Sequence, residues 1–345
     1  MINHHPTDPA LHFIEQLLHH AANENVSDIH LEPQAEQCRI RFRRQGLLYL
    51  ANTIPTHFAT QITACLKIMA QLDITEKRMP QDGRLYFANL TDTNIRISTC
   101  PSLFGEKVAL RLMNQQQSFL QLSHLGLNPD QKTMLEEKLN QPQGLIMIVG
   151  PTGSGKTSTL YAALNHLNQV EKNIITIEDP IEIKLDGITQ INVNPRIDLS
   201  FSHLLRSIMR QDPDVIMIGE IRDRETAEIA IQAAQTGHLV LSTLHCDDAT
   251  DFLARLNMLG ITTPYLQTAL SLIIAQRLIR TLCSHGDDCS QCHQGYANRT
   301  GIFELSTMQK NNIHTPETLW QVGMQKVKSQ LTTMTELKRV LNPLC

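Results

Sequence analysis

The chain has 345 residues, 41% hydrophobic and 19% charged, with 30 lysines and arginines against 34 aspartates and glutamates. Such a length exceeds one ordinary domain and predicts two or three, each with its own core. The formal charge of −4 and the 4% of aromatics argue against general attraction to nucleic acid or an anionic membrane, and leave few side chains for stacking bases.

The first residues, MINHHPTDPALHFIEQ, carry no basic leader followed by an apolar core, and no apolar run approaches a membrane span. A cytoplasmic location is expected, with the membrane reached only through partners. Asp8-Pro9 reads as an N-cap with proline in the first helical turn, and Ala10, Leu11, Ile14, Leu17, Leu18 and Ala21 follow at helical spacing. SDIHLEP and CRIRFRRQGLLYL alternate as strands and turn at Gly46. Residues 55–72 read as a helix; GRLYFA, NIRIST and EKVALRLM read as strands. These make a small α+β domain over 1–113. The Gln-rich stretch 114–131, broken by Gly126 and Pro129, reads as a linker.

Beyond it strands and helices alternate: strand 145–149, helix 156–169, strand 173–178, helix 200–210, strand 215–219, helix 223–236, strand 238–243. A mostly parallel sheet covered by helices is predicted for a domain over 132–280, with 248–280 read as helical. Residues 281–345 read as a Cys-containing segment and a helical tail. The fold class is therefore α/β.

LIMIVGPTGSGKT fits the P-loop pattern, with Gly150, Pro151, Thr152, Gly153, Ser154, Gly155, Lys156, Thr157 and Ser158 as the phosphate cradle. Glycines let backbone N–H groups close on phosphates at the positive end of the next helix. Lys156 is expected on the β/γ-phosphates and Thr157 on Mg²⁺. DVIMIGEIRD delivers Glu220 at a strand end, where a carboxylate orients metal-bound water. NIITIEDPIEIK offers Glu178, Asp179 and Glu182 at the end of another strand, where ligands gather in open α/β sheets.

GPTGSGKT, IITIEDPIE, LRSIMRQDPDVIMIGEIRD and AAQTGHLVLSTLH, in that order, resemble the secretion ATPases of type II secretion and type IV pilus systems; the likeness runs from SDIHLEP to GYANRTGIFEL. It implies a RecA-like P-loop domain preceded by a PAS-like N-terminal domain, and an ATP hydrolase using Mg²⁺. It also implies a homohexamer working on a polytopic inner-membrane platform protein; on the acidic balance and few aromatics no direct nucleic-acid contact is expected. By resemblance, Glu182 activates water, Glu220 is the Walker B glutamate, His245 senses the phosphates and His238 supports it. Arg96 and Arg111 correspond to the pair that closes on the γ-phosphate, and Arg206 and Arg210 to a second pair; arginine's planar, permanent charge suits this work. Lys107 stands where many relatives have arginine.

The resemblance favours assembly or secretion, or DNA-uptake competence, over retraction, because no AIRAGE stretch is present. A retraction motor, a nucleic-acid translocase and a non-hydrolysing scaffold are the alternatives. Many relatives bind structural zinc through two C-x-x-C pairs. Here Cys283, Cys289 and Cys292 remain, and His285 or His293 would complete a Cys₃His set; a decayed, metal-free site is the other outcome.

Overall fold

The structure is a computed structural model that describes residues 8–86, 93–114, 121–194, 197–284, 292, 294–309 and 312–341. The chain divides into two compact units, Met1–Gln116 and Gln117–Cys345.

In the first unit, α1 (Pro9–Asn23) starts where expected, with the Asp8 carboxylate accepting the Ala10 N–H. Strands β1 (Val26–Pro33), β2 (Gln37–Arg44) and β3 (Leu47–Pro55) follow, then α2 (Thr56–Met69), β4 (Gln81–Tyr86), β5 (Thr93–Ser102) and β6 (Gly105–Asn114). Gly46 turns β2 into β3 at a φ of 85°, a conformation that costs glycine little. The sheet order is β3-β2-β1-β6-β5-β4. Ile29, Leu31, Ile40, Phe42, Ile95, Ile97 and Leu110 pack on Ile14, Leu18, Ile62 and Leu66 of the two helices. Strand alternation therefore sends Asp28, Arg43, Arg96 and Arg111 to the opposite face.

The second unit begins with a 3₁₀ turn (Leu122–His124) and α3 (Pro129–Leu139). Leu122 and Leu125 are buried in its core, so the half of the expected linker from Gln121 onward belongs to this unit. There follow β7 (Gly144–Val149), α4 (Lys156–Leu167), β8 (Ile174–Glu178), β9 (Thr189–Asn192), α5 (Phe201–Ile208), β10 (Val215–Ile218), α6 (Arg224–Gln235) and β11 (Leu239–Leu244). The predicted strands and helices from 145 to 243 are present.

The sequence expectation fails after α7 (Ala249–Met258) and α8 (Thr263–Gln267). Residues 270–280, read as helical, lie in the long strand β12 (Leu270–Leu282). The C-terminal segment contributes β13 (Tyr296–Gln309) and β14 (Asn312–His314) before α9 (Leu319–Lys328) and α10 (Met334–Leu341). β12 is captured between β7, to which it runs parallel, and antiparallel β13.

The sheet order is β14-β13-β12-β7-β11-β10-β8-β9. One face packs on α5, α6, α7, α9 and α10, the other on α3 and α4. Strand β7, GLIMIV, is buried at every position, which is why it reads as an unbroken apolar run. Among the described residues no helix is long and apolar enough to cross a membrane.

Candidate nucleotide site

The P-loop connects β7 to α4, between flanking strands β11 and β12. Gly153 and Gly155 have φ of 80° and 91°, and Gly150 one of 153°, so the loop curls in conformations that disfavour side chains. Its back rests on β12: a Cβ on Gly150 would lie 2.6 Å from the Gln276 carbonyl oxygen, and one on Gly155 2.8 Å from Gln276 Nε2. Gly155 is the N-cap of α4 and supplies no side-chain acceptor. Among the described residues the buried Ser154 Oγ has no hydrogen-bond partner. Uncapped N–H groups and an orphan hydroxyl at a helix N-terminus fit a phosphate group.

Lys156 is buried, and its Nζ donates to the carbonyls of Gly150 (2.7 Å) and Pro151 (3.0 Å). Burial lowers the pKa of its ammonium group, opposed by Glu220. Nζ also lies 3.4 Å from His245 Nδ1, and His245 Nε2 lies 3.6 Å from Glu220 Oε2. Because an ammonium only donates, Nδ1 must accept, which leaves the proton on Nε2 facing the carboxylate. Burial and then Lys156 lower the His245 pKa, against Glu220, and favour that neutral ring.

Three separate segments thus meet. Glu220 follows β10, and its turn is stitched to β11: Thr243 Oγ1 donates to the Gly219 carbonyl (2.7 Å), and the Ile221 N–H donates to the Thr243 carbonyl (3.1 Å). Arg222 bonds Glu220 and lies 3.7 Å from Asp179 Oδ2. An open groove of about 650 Å³ runs from Pro151 and Thr152 past His245 and Cys246 to Asp251, Arg255 and Met258.

The other expected residues lie as follows. Glu178 is buried and saturated, accepting from Tyr161 Oη (2.5 Å), Thr176 Oγ1 (2.6 Å) and Gln190 Nε2 (3.0 Å). Glu182 is exposed, and its N–H donates to Tyr161 Oη at 3.1 Å, which ties its backbone to α4. Arg206 pairs with Glu225, and Arg210 Nη1 donates to the Arg206 carbonyl (2.8 Å); both line a different groove, with Asp198, Ser200 and His203.

Arg96 and Arg111 are cross-strand neighbours in the first unit, where Arg111 Nε bonds Asp28 Oδ1 at 2.9 Å. Lys107 there pairs with Glu32 at 3.1 Å. His238 stands before β11 and His245 after it, seven strand steps or about 23 Å apart. His238 Nδ1 instead bonds the Ala233 carbonyl at the end of α6 (2.9 Å), so it braces a helix end rather than His245.

Cys283 and Cys292 are described, whereas Cys289, His285 and His293 lie outside the described residues. Among the described residues no group of three His, Cys, Asp or Glu side chains could hold a metal.

Sequence reasoning missed Gln276 and Arg277. Gln276 is 2% exposed and accepts from Thr159 Oγ1 at 2.7 Å. Arg277 reaches the segment after His245. The signal available was an adjacent polar pair inside an otherwise apolar run, LIIAQRLI.

The profile of the family described as "Type II/IV secretion system protein" matches residues 4–340. The chain is 46% identical to the "Protein transport protein HofB homolog" of Haemophilus influenzae, covering 97% of this chain and 74% of that protein. It is 42% identical to the "Type IV pilus assembly ATPase PilB" of Acinetobacter baylyi, covering 96% of this chain and 66% of that protein. Identity to the "Type II secretion system protein E" of Pseudomonas aeruginosa is 41%, covering 96% and 75%.

Among solved structures, the Legionella pneumophila ATPase DotB superposes with a TM-score of 0.76 at 19% identity, covering 98% of this chain and 97% of that one. The ADP-bound pilus retraction motor PilT superposes at 0.60 with 27% identity, covering 94% and 92%. The fold is that of these ATPases, with a RecA-like P-loop domain. With the P-loop, the Glu220 turn and a His-bearing strand end in one site, and with the family profile matched almost end to end, the chain belongs to the Type II/IV secretion system protein family.

Proposed function

We propose that this chain is a cytoplasmic ATP hydrolase whose turnover powers assembly of a pilus or pseudopilus, or type II protein secretion. The observation that carries this is the convergence of Lys156, His245 and Glu220 at the mouth of a P-loop. Lys156, Ser154 and the first N–H groups of α4 bind and orient the phosphates. Thr157 and, through water, Glu220 would hold Mg²⁺, which supplies charge neutralisation at the β/γ-phosphates. Glu182 takes the proton of the attacking water, and neutral His245 donates from Nε2 toward Glu220 or the γ-phosphate.

Arg96 and Arg111 close on the γ-phosphate; Arg111 exchanges Asp28 for phosphate as it does so. Arg206 and Arg210 form the second arginine pair of this proposal; they line a groove apart from the P-loop in the single chain and would reach nucleotide across a subunit boundary of the homohexamer. The working form in this proposal is a homohexamer on an inner-membrane platform protein. Identity of 42% to a pilus assembly ATPase, against 27% to a retraction motor, favours assembly.

Complementation tests this. A host lacking the chain should regain its pili or secretion with the wild-type protein and not with Lys156→Ala. Full recovery with Lys156→Ala would overturn the proposal.

A further inference from the structure

Pairing of β12 with β7 ends at Ala275 opposite Val149, so Gln276 and Arg277 project beyond the strand that carries the P-loop. Strand alternation sends them opposite ways. Gln276 lies under the loop. Arg277 turns to the connection His245–Asp248, between β11 and α7. Its Nη2 donates to the Asp247 carboxylate at 2.8 Å, and its Nη1 to the Asp247 carbonyl and the Gln276 carbonyl, both at 3.1 Å.

The Arg277 side chain is 11% exposed and that of Asp247 71%, so the anchor sits on the sheet and the anchored group faces solvent. The two ends of the connection are fixed independently. Leu244 pairs with Val149, and Asp248 caps α7 by accepting from the N–H groups of Thr250 (2.8 Å) and Asp251 (2.9 Å). Arg277 fastens the middle, two residues from His245. Its planar fork grips a carbonyl and a carboxylate at once, which one ammonium does poorly.

We propose that Arg277 is a positioning residue for ATP hydrolysis, which acts through His245 by clamping the His245–Asp248 connection to the end of β12. The inference rests on the hydrolase function proposed above. The proposal gives Arg277 no nucleotide contact of its own, because its guanidinium is committed to Asp247 and the Gln276 carbonyl.

Two measurements test it. Amide hydrogen exchange over residues 245–248 should quicken at least about tenfold in Arg277→Met, because the opening free energy of a fastened segment falls with its fastener. Unchanged exchange there overturns the clamp, whatever the turnover. The second is a double-mutant cycle on kcat. Arg277→Met should lower kcat about tenfold while ADP affinity stays within about threefold, and should cost less than about twofold on a His245→Ala background. Equal loss in both backgrounds, or none in either, overturns action through His245. Arg277→Lys should recover part of the loss. Should Arg277→Met fold poorly, Asp247→Ala removes the carboxylate half of the clamp from the exposed side, and the same two criteria apply. Absence of turnover in the wild type would count against the hydrolase function, while the exchange measurement still decides the clamp.

Discussion

Tyr161 shows how one side chain can serve both packing and chemistry. It is fully buried on α4, one helical turn beyond Thr157, and its hydroxyl donates to Glu178 while accepting the Glu182 N–H. Burial first, and then the Glu178 carboxylate, raise the phenol pKa, so it stays protonated and able to donate. Glu178 therefore anchors the acidic turn to the P-loop helix, although in sequence it stood equal with Asp179 and Glu182 as a candidate base. Tyr161→Phe strands one oxygen of a buried carboxylate and a backbone N–H, at a cost of about 2 kcal/mol. Urea unfolding should show that loss, with kcat falling as Glu182 loses its tether. A neutral substitution would contradict this account.

At the scale of elements, β12 carries the back wall of the site, and its far end is held by α10. Glu336 is 1% exposed and accepts from the Arg280 N–H (3.0 Å), Nε (3.0 Å) and Nη2 (2.8 Å), while Arg339 bonds both of its oxygens. The Arg280 guanidinium also lies 3.9 Å over the Tyr296 ring. Glu336→Ala leaves a buried guanidinium without its carboxylate and should cost about 3–5 kcal/mol by denaturant unfolding. Burial alone would raise the Glu336 pKa; the bonds from Arg339 and Arg280 outweigh it and hold the value below 4.5. A lowered folded-state pKa means the unfolded chain binds more protons, so this stability is present above pH 4.5 and is lost as pH falls through the folded value. The stability difference between wild type and Glu336→Ala should therefore shrink on acidification below pH 4.5. A difference constant with pH would contradict the latch.

The same strand shows where the sequence misled. The P-loop, the Glu220 turn and the His245 turn were legible as places because each is a local pattern ending a strand that is buried throughout. LSLIIAQRLIRTL is buried on both faces over much of its length, so the alternation that identifies a strand is hidden. Its leucine, alanine, glutamine and arginine suit a helix equally well, and pairing with β7 and β13 decides the matter. Partners thirty residues apart, such as Arg277 and Asp247, leave no periodic trace. His238 misled in the opposite way: it lies near His245 in a shared motif, but a strand of six residues separates them.

The whole molecule has a core for each unit: that of the first is built entirely from residues before Gln116, while the second is formed around its eight-stranded sheet. Independent cores predict two unfolding transitions in urea. ADP should stabilise only the transition of the P-loop unit, by about 2.7 kcal/mol at a hundredfold excess over Kd. One coincident transition, or equal shifts in two, would show that the units do not unfold independently. The proposed motor needs both properties: a first unit able to move as a body with Arg96 and Arg111, and a second that holds nucleotide.

Whether Lys156, His245 and Glu220 form a hydrolytic site is decided by a single-turnover measurement with ATP bound in advance. Wild type and Glu220→Gln should bind comparable amounts of ATP, with phosphate released promptly by the wild type and at least about a hundredfold more slowly by Glu220→Gln. Equal release rates from equal amounts of bound ATP would contradict it.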